Sequence, residues 1–329
     1  MRIVFAKNAD YRPRETGASE WTSGPKIVHF DRVEWQIIPD ATTAAIALQK
    51  GEIDWWETPT TDYLQLLRRT RNVEVAVKDP TGSMPTLRMN WLNPPFDNPA
   101  VRRAVLAAVS QLDTMTVVAG SDPELYRTGV GFFPPGSALA SSAGIPPAGK
   151  PPDHEAIKRD IIAAGYKGER VVILGVSDRS SVKVMGDVTA DLFQRIGLNT
   201  DYQMADWGTQ NARINSKKPP DQGGWSVYFA IWSGLSVINP IVHQHLRGDG
   251  LNSIAGWPDA PKLEALRFAW LDSTDAAEQR RIAVDIQRQA YEDVPYVPLG
   301  QFFQPVAYRS DLTGMLAGFP LFWNIKRSA

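Results

Sequence analysis

The chain has 329 residues, and its 35 basic and 36 acidic side chains leave a formal net charge of −1. At roughly 150 residues per domain this length predicts about two domains, and a composition of 43% hydrophobic and 22% charged residues excludes an intrinsically disordered chain. The near-neutral charge argues against a protein that coats nucleic acid or an anionic membrane, and the absence of cysteine excludes disulfides, thiol nucleophiles and cysteine-ligated metals.

The N-terminal region has the pattern of a mixed α/β domain. Strands are predicted over 2–6, 34–38 and 73–77, and helices over 42–50 and 62–71. Asp40 is expected to cap the first helix and Gly51 to end it. The first residues contain neither the long apolar run nor the small-residue cleavage site of a secretory signal peptide, so we predict no export signal in this chain.

The middle of the chain contains a clear strand–helix–strand pattern. An apolar strand over 170–176, a helix over 182–196 and a strand over 199–204 predict a right-handed parallel crossover. Residues 225–232 are almost free of charge, which predicts a central strand covered on both faces. A long helix is expected from Asp275 to about residue 292.

Two patterns raise the alternative of a hydrolase. Ser180 and Lys183 have the Ser-x-x-Lys spacing of serine acyl-enzymes, and His243 and His245 could share a face and hold a metal ion if they lay on a strand. Both patterns are short, no third metal ligand accompanies the histidines, and a packed or ligand-proximal pair is favoured. Residues 144–150 have the spacing of a phosphate-binding loop, but prolines remove the amide donors such a loop needs. We therefore predict no catalytic residue, metal or cofactor.

Several motifs occur in an order known from one protein family. Phe-Asp-Arg-Val-Glu-Trp-Gln-Ile-Ile-Pro-Asp at 30–40 precedes Ala-Leu-Gln-Lys-Gly-Glu-Ile-Asp at 47–54. Arg-Met-Asn at 88–90 precedes Pro-Pro-Phe-Asp-Asn-Pro-Ala-Val-Arg-Arg-Ala at 94–104, and Leu-Phe-Gln-Arg-Ile-Gly-Leu follows at 192–198. Together these segments resemble the family 5 extracellular solute-binding proteins, the peptide and nickel receptors of bacterial ABC importers.

The resemblance implies an α/β fold with two lobes, the type II periplasmic-binding-protein or Venus-flytrap architecture. Residues 1–85 and 300–329 would belong to lobe one, and residues 86–299 would form lobe two. Family members carry a longer N-terminal part of lobe one, so the resemblance predicts that lobe one is incomplete here. Its exposed core would then be covered by the missing segment or by another chain.

The resemblance also implies a function. The chain would be the solute-binding component of an ABC importer in the periplasm, capturing a peptide or other small organic solute in a cleft between the lobes. It would deliver that solute unchanged to a permease in the inner membrane. Besides the hydrolase, a truncated pseudo-receptor that binds no solute is the remaining alternative.

The predicted ligand contacts follow from the strand over 225–232. Ligands of open α/β sheets bind at the carboxyl ends of the strands, so the loop 232–240 is expected to face the ligand. In peptide receptors of the family this loop is acidic and holds the peptide's α-amine. No carboxylate occurs in it here, which favours an uncharged, apolar or aromatic ligand or a blocked peptide. The predicted contacts are Trp232, Ser233, Leu235 and Asn239, followed by Arg88, Asn90 and Trp207.

Overall fold

A computed structural model describes residues 1–146 and 151–328, so the segment 144–150 discussed above lies partly outside the described residues. The strands are β1 (Arg2–Ala6), β2 (Arg32–Gln36), β3 (Trp55–Trp56), β4 (Val73–Val77), β5 (Ser83–Met89), β6 (Tyr126–Arg127), β7 (Arg170–Val176), β8 (Asn199–Ala205), β9 (Val227–Ser233), β10 (Val297–Pro298), β11 (Gln301–Phe302), β12 (Pro305–Arg309), β13 (Leu312–Thr313) and β14 (Lys326–Arg327). The helices are α1 (Ala41–Lys50), α2 (Thr61–Arg69), α3 (Pro99–Ala108), α4 (Gln111–Ala119), α5 (His154–Ala163), α6 (Ser180–Arg195), α7 (Trp207–Ile214), α8 (Pro261–Asp272) and α9 (Ala276–Asp293).

The chain divides into two compact units. Unit 1 comprises Met1–Gly82 and Phe303–Ala329, and unit 2 comprises Ser83–Phe302. The family resemblance predicts these divisions at 85/86 and 299/300. The structural divisions differ because β5 begins at Ser83 and β11 ends at Phe302, and these two residues pair with each other within the sheet of unit 2.

Unit 1 contains a three-stranded antiparallel sheet with the order β3-β12-β4, and α1 and α2 pack beside it around Leu48 and Leu67. The predicted caps of α1 are confirmed. The Asp40 carboxylate accepts from the Thr43 amide at 2.7 Å, and Gly51 ends the helix with a φ of 75°.

A separate antiparallel ribbon of β1 and β2 also belongs to unit 1. Its apolar side chains Ile3, Phe5 and Trp35 are each more than two-fifths exposed. Phe5 and Trp35 lie near Phe322, with ring centroids 6.3 and 6.1 Å away. Beside the ribbon lies a cavity of about 620 Å³ whose aromatic lining includes Trp35 and Phe322.

Unit 2 is built on a mixed sheet with the order β6-β11-β5-β9-β7-β8, to which β10 adds beside β5. The predicted strand–helix–strand pattern is confirmed, because β7 and β8 pair in parallel with α6 between them in the chain. β9 runs parallel to β7 and antiparallel to β5. The carboxyl ends of β7, β8 and β9 therefore lie along one edge of the sheet.

The predicted burial of the strand over 225–232 is correct only for its first half. Trp225 and residues 227–229 are buried, whereas Ile231 is 36% exposed and Trp232 and Ser233 are half-buried. The strand is therefore less buried toward its carboxyl end than at its start. Among the residues that the structure describes, no helix has the length and apolar character needed to span a membrane.

Candidate functional site

The loop 232–240 begins at the carboxyl end of β9, beside the points where the chain passes between the units. Ser233 pairs with Ser83, the first residue of β5, and Ser83 also pairs with Phe302, the last residue of β11. The Ser233 hydroxyl then accepts from the amide of Leu235 at 3.3 Å and caps a short 3-10 turn over 234–237. Ser233 thus ends the strand, starts the loop and pairs with the first residue of unit 2, and the last residue of unit 2 lies one strand further along the sheet.

The loop exposes apolar surface, and the side-chain oxygens of Ser233 and Asn239 accept hydrogen bonds from nearby backbone amides. The Leu235 side chain is 39% exposed. The Asn239 side-chain oxygen accepts from the amides of Ile241 and Val242 at 3.0 and 3.2 Å. Asn239 is therefore a turn-forming residue whose oxygen is already engaged, while its NH2 group makes no hydrogen bond within the described part of the chain.

The Trp232 ring is held in place by a hydrogen bond to the buried side chain of His245. The indole Nε1 donates to His245 Nδ1 at 3.2 Å, and the ring centroids lie 4.9 Å apart at 76°. An indole N–H can only donate, so Nδ1 must be the unprotonated nitrogen and the neutral ring carries its proton on Nε2. That nitrogen lies 3.4 Å from the hydroxyl oxygen of Tyr228. Trp232 also packs against a small apolar cluster formed by Met84, Val130 and Val237.

Arg88, a predicted ligand contact, lies inside the protein. Its guanidinium is fully buried and donates to the main-chain oxygens of Ala255 at 2.9 Å, His245 at 2.7 Å and Pro295 at 2.9 Å. This geometry joins three separate segments of unit 2 and leaves no exposed surface for a solute. We therefore correct the expectation that Arg88 contacts a ligand, because its donors are used by the fold.

Asn90 and Trp207 also lie away from the loop. Asn90 is buried and its side-chain NH2 donates to the main-chain oxygen of Trp225 at 2.9 Å, so it too is corrected to a structural residue. Trp207 begins α7 after β8, is half-buried, and stacks beneath the Arg179 guanidinium at 4.5 Å from the ring centroid. It lies two strands from Trp232 on the same sheet edge, or about 10 Å at the usual strand spacing.

The two histidines of the hydrolase alternative are packed inside unit 2. His243 Nε2 lies 3.0 Å from the main-chain oxygen of Phe132 and 2.9 Å from the Tyr296 hydroxyl oxygen. Burial lowers the pKa of His243 to about 3. Burial, and then the charge of Arg88, lower the pKa of His245 as well. Across the described ranges no group of three or more His, Cys, Asp or Glu side chains is placed so that it could hold a metal ion.

The Ser-x-x-Lys pattern does not form an acyl-enzyme site either. Ser180 is exposed at the start of α6. The Lys183 ammonium forms an ion pair with Asp187 at 2.6 Å, one turn further along the same helix. Lys183 therefore points toward the C-terminal end of α6, away from Ser180, and cannot activate its hydroxyl from that position.

The buried histidines predict a loss of stability in acid. His243 stays neutral in the folded chain because burial lowers its pKa to about 3, whereas the unfolded chain binds a proton near the ordinary value of 6.5. Stability is complete above pH 6.5 and falls toward pH 3, by on the order of 1 kcal/mol per pH unit for this group. Urea midpoints measured from pH 7.5 to pH 4.5 should show this slope.

Two variants control this measurement. His243→Asn should lower stability overall and flatten the slope, because the group that titrates only in the unfolded chain is gone. Ile162→Ala, at an exposed position of α5, removes no titratable group and should keep the wild-type slope. A wild-type midpoint that does not change over this pH range contradicts the prediction.

Comparison with known proteins gives consistent matches. Residues 1–240 match the family model described as bacterial extracellular solute-binding proteins, family 5 middle. A probable peptide ABC transporter periplasmic-binding protein, y4tO of Sinorhizobium fredii, is 32% identical over 99% of this chain and 62% of its own length. The glutathione-binding protein GsiB of Escherichia coli is 26% identical over 90% of this chain and 57% of its own length.

A solved structure matches the fold. The ABC transporter-associated periplasmic binding protein DppA from Helicobacter pylori, in complex with the peptide STSA, superposes with a TM-score of 0.77. It is 22% identical, and the match covers 99% of this chain and 60% of that protein. The predicted α/β fold class of the periplasmic peptide-binding proteins is thereby confirmed. The chain spans less than two thirds of the length of each of these relatives.

Proposed function

This chain belongs to family 5 of the bacterial extracellular solute-binding proteins, and from that premise we propose that it binds a peptide or other small organic solute for an ABC importer. The solute would be presented to the importer's membrane permease unchanged. The relative from Sinorhizobium fredii is named as a peptide transporter component, and the relative from Escherichia coli as a glutathione-binding protein. Their names support a solute of peptide size and a periplasmic location.

The observation that carries the proposal is the position of the loop 232–240. It lies at the carboxyl end of β9, where the strand becomes less buried, and it begins beside Ser83, the first residue of unit 2. Solutes of open α/β sheets bind at such an edge. We propose that Trp232, Ser233, Leu235 and Asn239 form one wall of the solute site, with Trp207 further along the same edge.

The residues of this wall would make different kinds of contact with the solute. The Trp232 ring is held by His245 and by its apolar cluster, so it offers a fixed aromatic surface at little entropic cost on binding. The exposed side chain of Leu235 adds apolar contact. Ser233 and Asn239 can each donate one or more hydrogen bonds to the solute.

The proposal extends to partners. A permease is the expected partner of the loaded protein. We also propose that a further polypeptide segment covers the apolar side chains of the β1–β2 ribbon. Ile3, Phe5 and Trp35 on this ribbon are each more than two-fifths exposed to solvent.

Truncation of Trp232 tests the wall directly. With a peptide and small-solute library in isothermal titration calorimetry, we expect Trp232→Ala to weaken binding of the best solute about 30-fold, as for a central aromatic anchor. Ile162→Ala, which truncates an apolar side chain exposed on α5, should leave affinity unchanged.

Two outcomes count against the proposal. If no member of the library gives a heat of binding with the wild-type chain at high micromolar concentration, the non-binding pseudo-receptor is favoured. Equal affinities of the wild type and Trp232→Ala would exclude the β9 loop as the wall. Both variants should keep the wild-type free energy of unfolding within about 1 kcal/mol, because neither side chain is fully buried.

A further inference from the structure

The wall formed by the loop 232–240 has no negative charge of its own. No aspartate or glutamate occurs between residues 222 and 248, and β5, β10 and β11 contain none. The nearest charged side chain in contact with this segment is Arg267, which donates to the main-chain oxygen of Pro240 at 2.8 Å and pairs with Glu264 at 2.6 Å. That pair is neutral overall, so it supplies no net negative charge to the wall.

A positive charge lies behind the wall. Arg88 is fully buried, and its guanidinium is met by main-chain oxygens rather than by a carboxylate. Arginine remains charged in proteins. Arg88 bonds to the main chain of His245, whose ring holds Trp232, so a single residue separates the buried cation from the aromatic surface. Charges act over longer distances through a protein interior than through water.

Hydrogen-bond donors are available at the wall. The Asn239 oxygen already accepts from two amides, so its NH2 group remains as a donor. The Ser233 oxygen accepts from one amide, and its hydroxyl proton remains available. Both donors can pair with acceptors on a solute, and an ammonium group has none to offer.

The same sheet edge differs at β7 and β8. Asp178 follows β7 and accepts from the Trp207 amide at 2.8 Å, and Asp206 follows β8 and caps α7. Carboxylates thus lie at the β7–β8 part of the edge, together with the Arg179 guanidinium, and the β9 part has no carboxylate.

We infer that the β9 loop receives a non-cationic, acceptor-bearing end of the solute, such as an acylated terminus or a carboxylate, and not a free ammonium. This inference rests on the proposed function, because it assigns a chemistry to the same wall. Three features carry it: the missing carboxylate, the buried Arg88 and the donors of Ser233 and Asn239. A free ammonium placed against this wall would face a like charge with no carboxylate to hold it.

Matched peptides provide the test. The wild-type chain is titrated by calorimetry with two tripeptide libraries of the same sequences, one with free N-terminal amines and one with acetylated termini. We expect the acetylated library to bind on the order of tenfold tighter, because an unpaired like charge is costly at a binding site. Free-amine peptides that bind equally well or better overturn the inference while leaving the proposed function in place.

Substitution of Leu235 locates the effect. Leu235→Asp should raise the affinity for free-amine peptides and weaken the acetylated ones, each by on the order of tenfold, and Leu235→Asn should keep the wild-type preference. An unchanged preference in Leu235→Asp would overturn the assignment to this wall. Silence of the wild type toward both libraries and toward small solutes would overturn the proposed function, and the inference with it.

Discussion

Arg88→Ala is expected to lower the free energy of unfolding of unit 2 by about 3–5 kcal/mol, the range seen when one partner of a buried charged network is removed. The side chain bonds to the main-chain oxygens of Ala255, His245 and Pro295. These oxygens belong to segments far apart in sequence and would lose their donor in the interior, where water cannot replace it.

Arg88→Lys should restore only a small part of this stability. A lysine ammonium cannot reproduce the planar, forked donor geometry that meets three carbonyls at once. The surroundings leave little freedom to adjust, because Gly256 adopts a φ of 103° and lies against the Arg88 side chain.

Hydrogen exchange of the β7 amides in urea measures the stability of unit 2 within the full chain, since β7 is a buried strand of that unit. Arg195→Ala is the matched control, because Arg195 forms an exposed ion pair with Asp191 on α6 and such pairs contribute less than about 1 kcal/mol. Wild-type protection in Arg88→Ala would show that the carbonyls find other partners.

Trp225→Ala has the second largest expected effect, also about 3–5 kcal/mol, as for a fully buried aromatic side chain truncated to alanine. Trp225 packs edge-on against Tyr228 at 5.1 Å and beside Trp257 at 5.8 Å. Its Nε1 donates to the main-chain oxygen of Ile214 at 2.9 Å. The variant therefore creates a cavity and leaves the part-buried carbonyl of Ile214 without this donor.

The same exchange measurement tests this variant. Phe268→Ala, which removes an aromatic ring that is 58% exposed on α8, should change the stability of unit 2 by less than about 1 kcal/mol. Similar losses in Phe268→Ala and Trp225→Ala would contradict the assignment of Trp225 to the core.

Local signals in the sequence were sufficient for some of the elements and their caps. The Asp40 and Gly51 caps of α1 and the strand–helix–strand unit around α6 depend on neighbouring residues, so the pattern predicted them. The unit boundaries depend on the pairing of Ser83 with Phe302, which are more than 200 residues apart. Nothing in the local pattern of either segment reveals that partner.

The candidate site shows the same division. The loop 232–240 could be located because it follows an apolar strand, and this stays a prediction about ligand contact. Arg88 was misjudged because a charged residue in a strand is ordinarily exposed, and its partners are main-chain oxygens that sequence cannot identify. The link between Trp232 and His245 was missed, although the His-Gln-His pattern did mark a packed or ligand-proximal pair.

The pairing of Ser233 with Ser83, and of Ser83 with Phe302, has a topological consequence. The first and last residues of unit 2 lie on neighbouring strands of its own sheet, although they are more than 200 residues apart. The segment 83–302 therefore starts and finishes at one place, and the loop 232–240 begins on the adjacent strand.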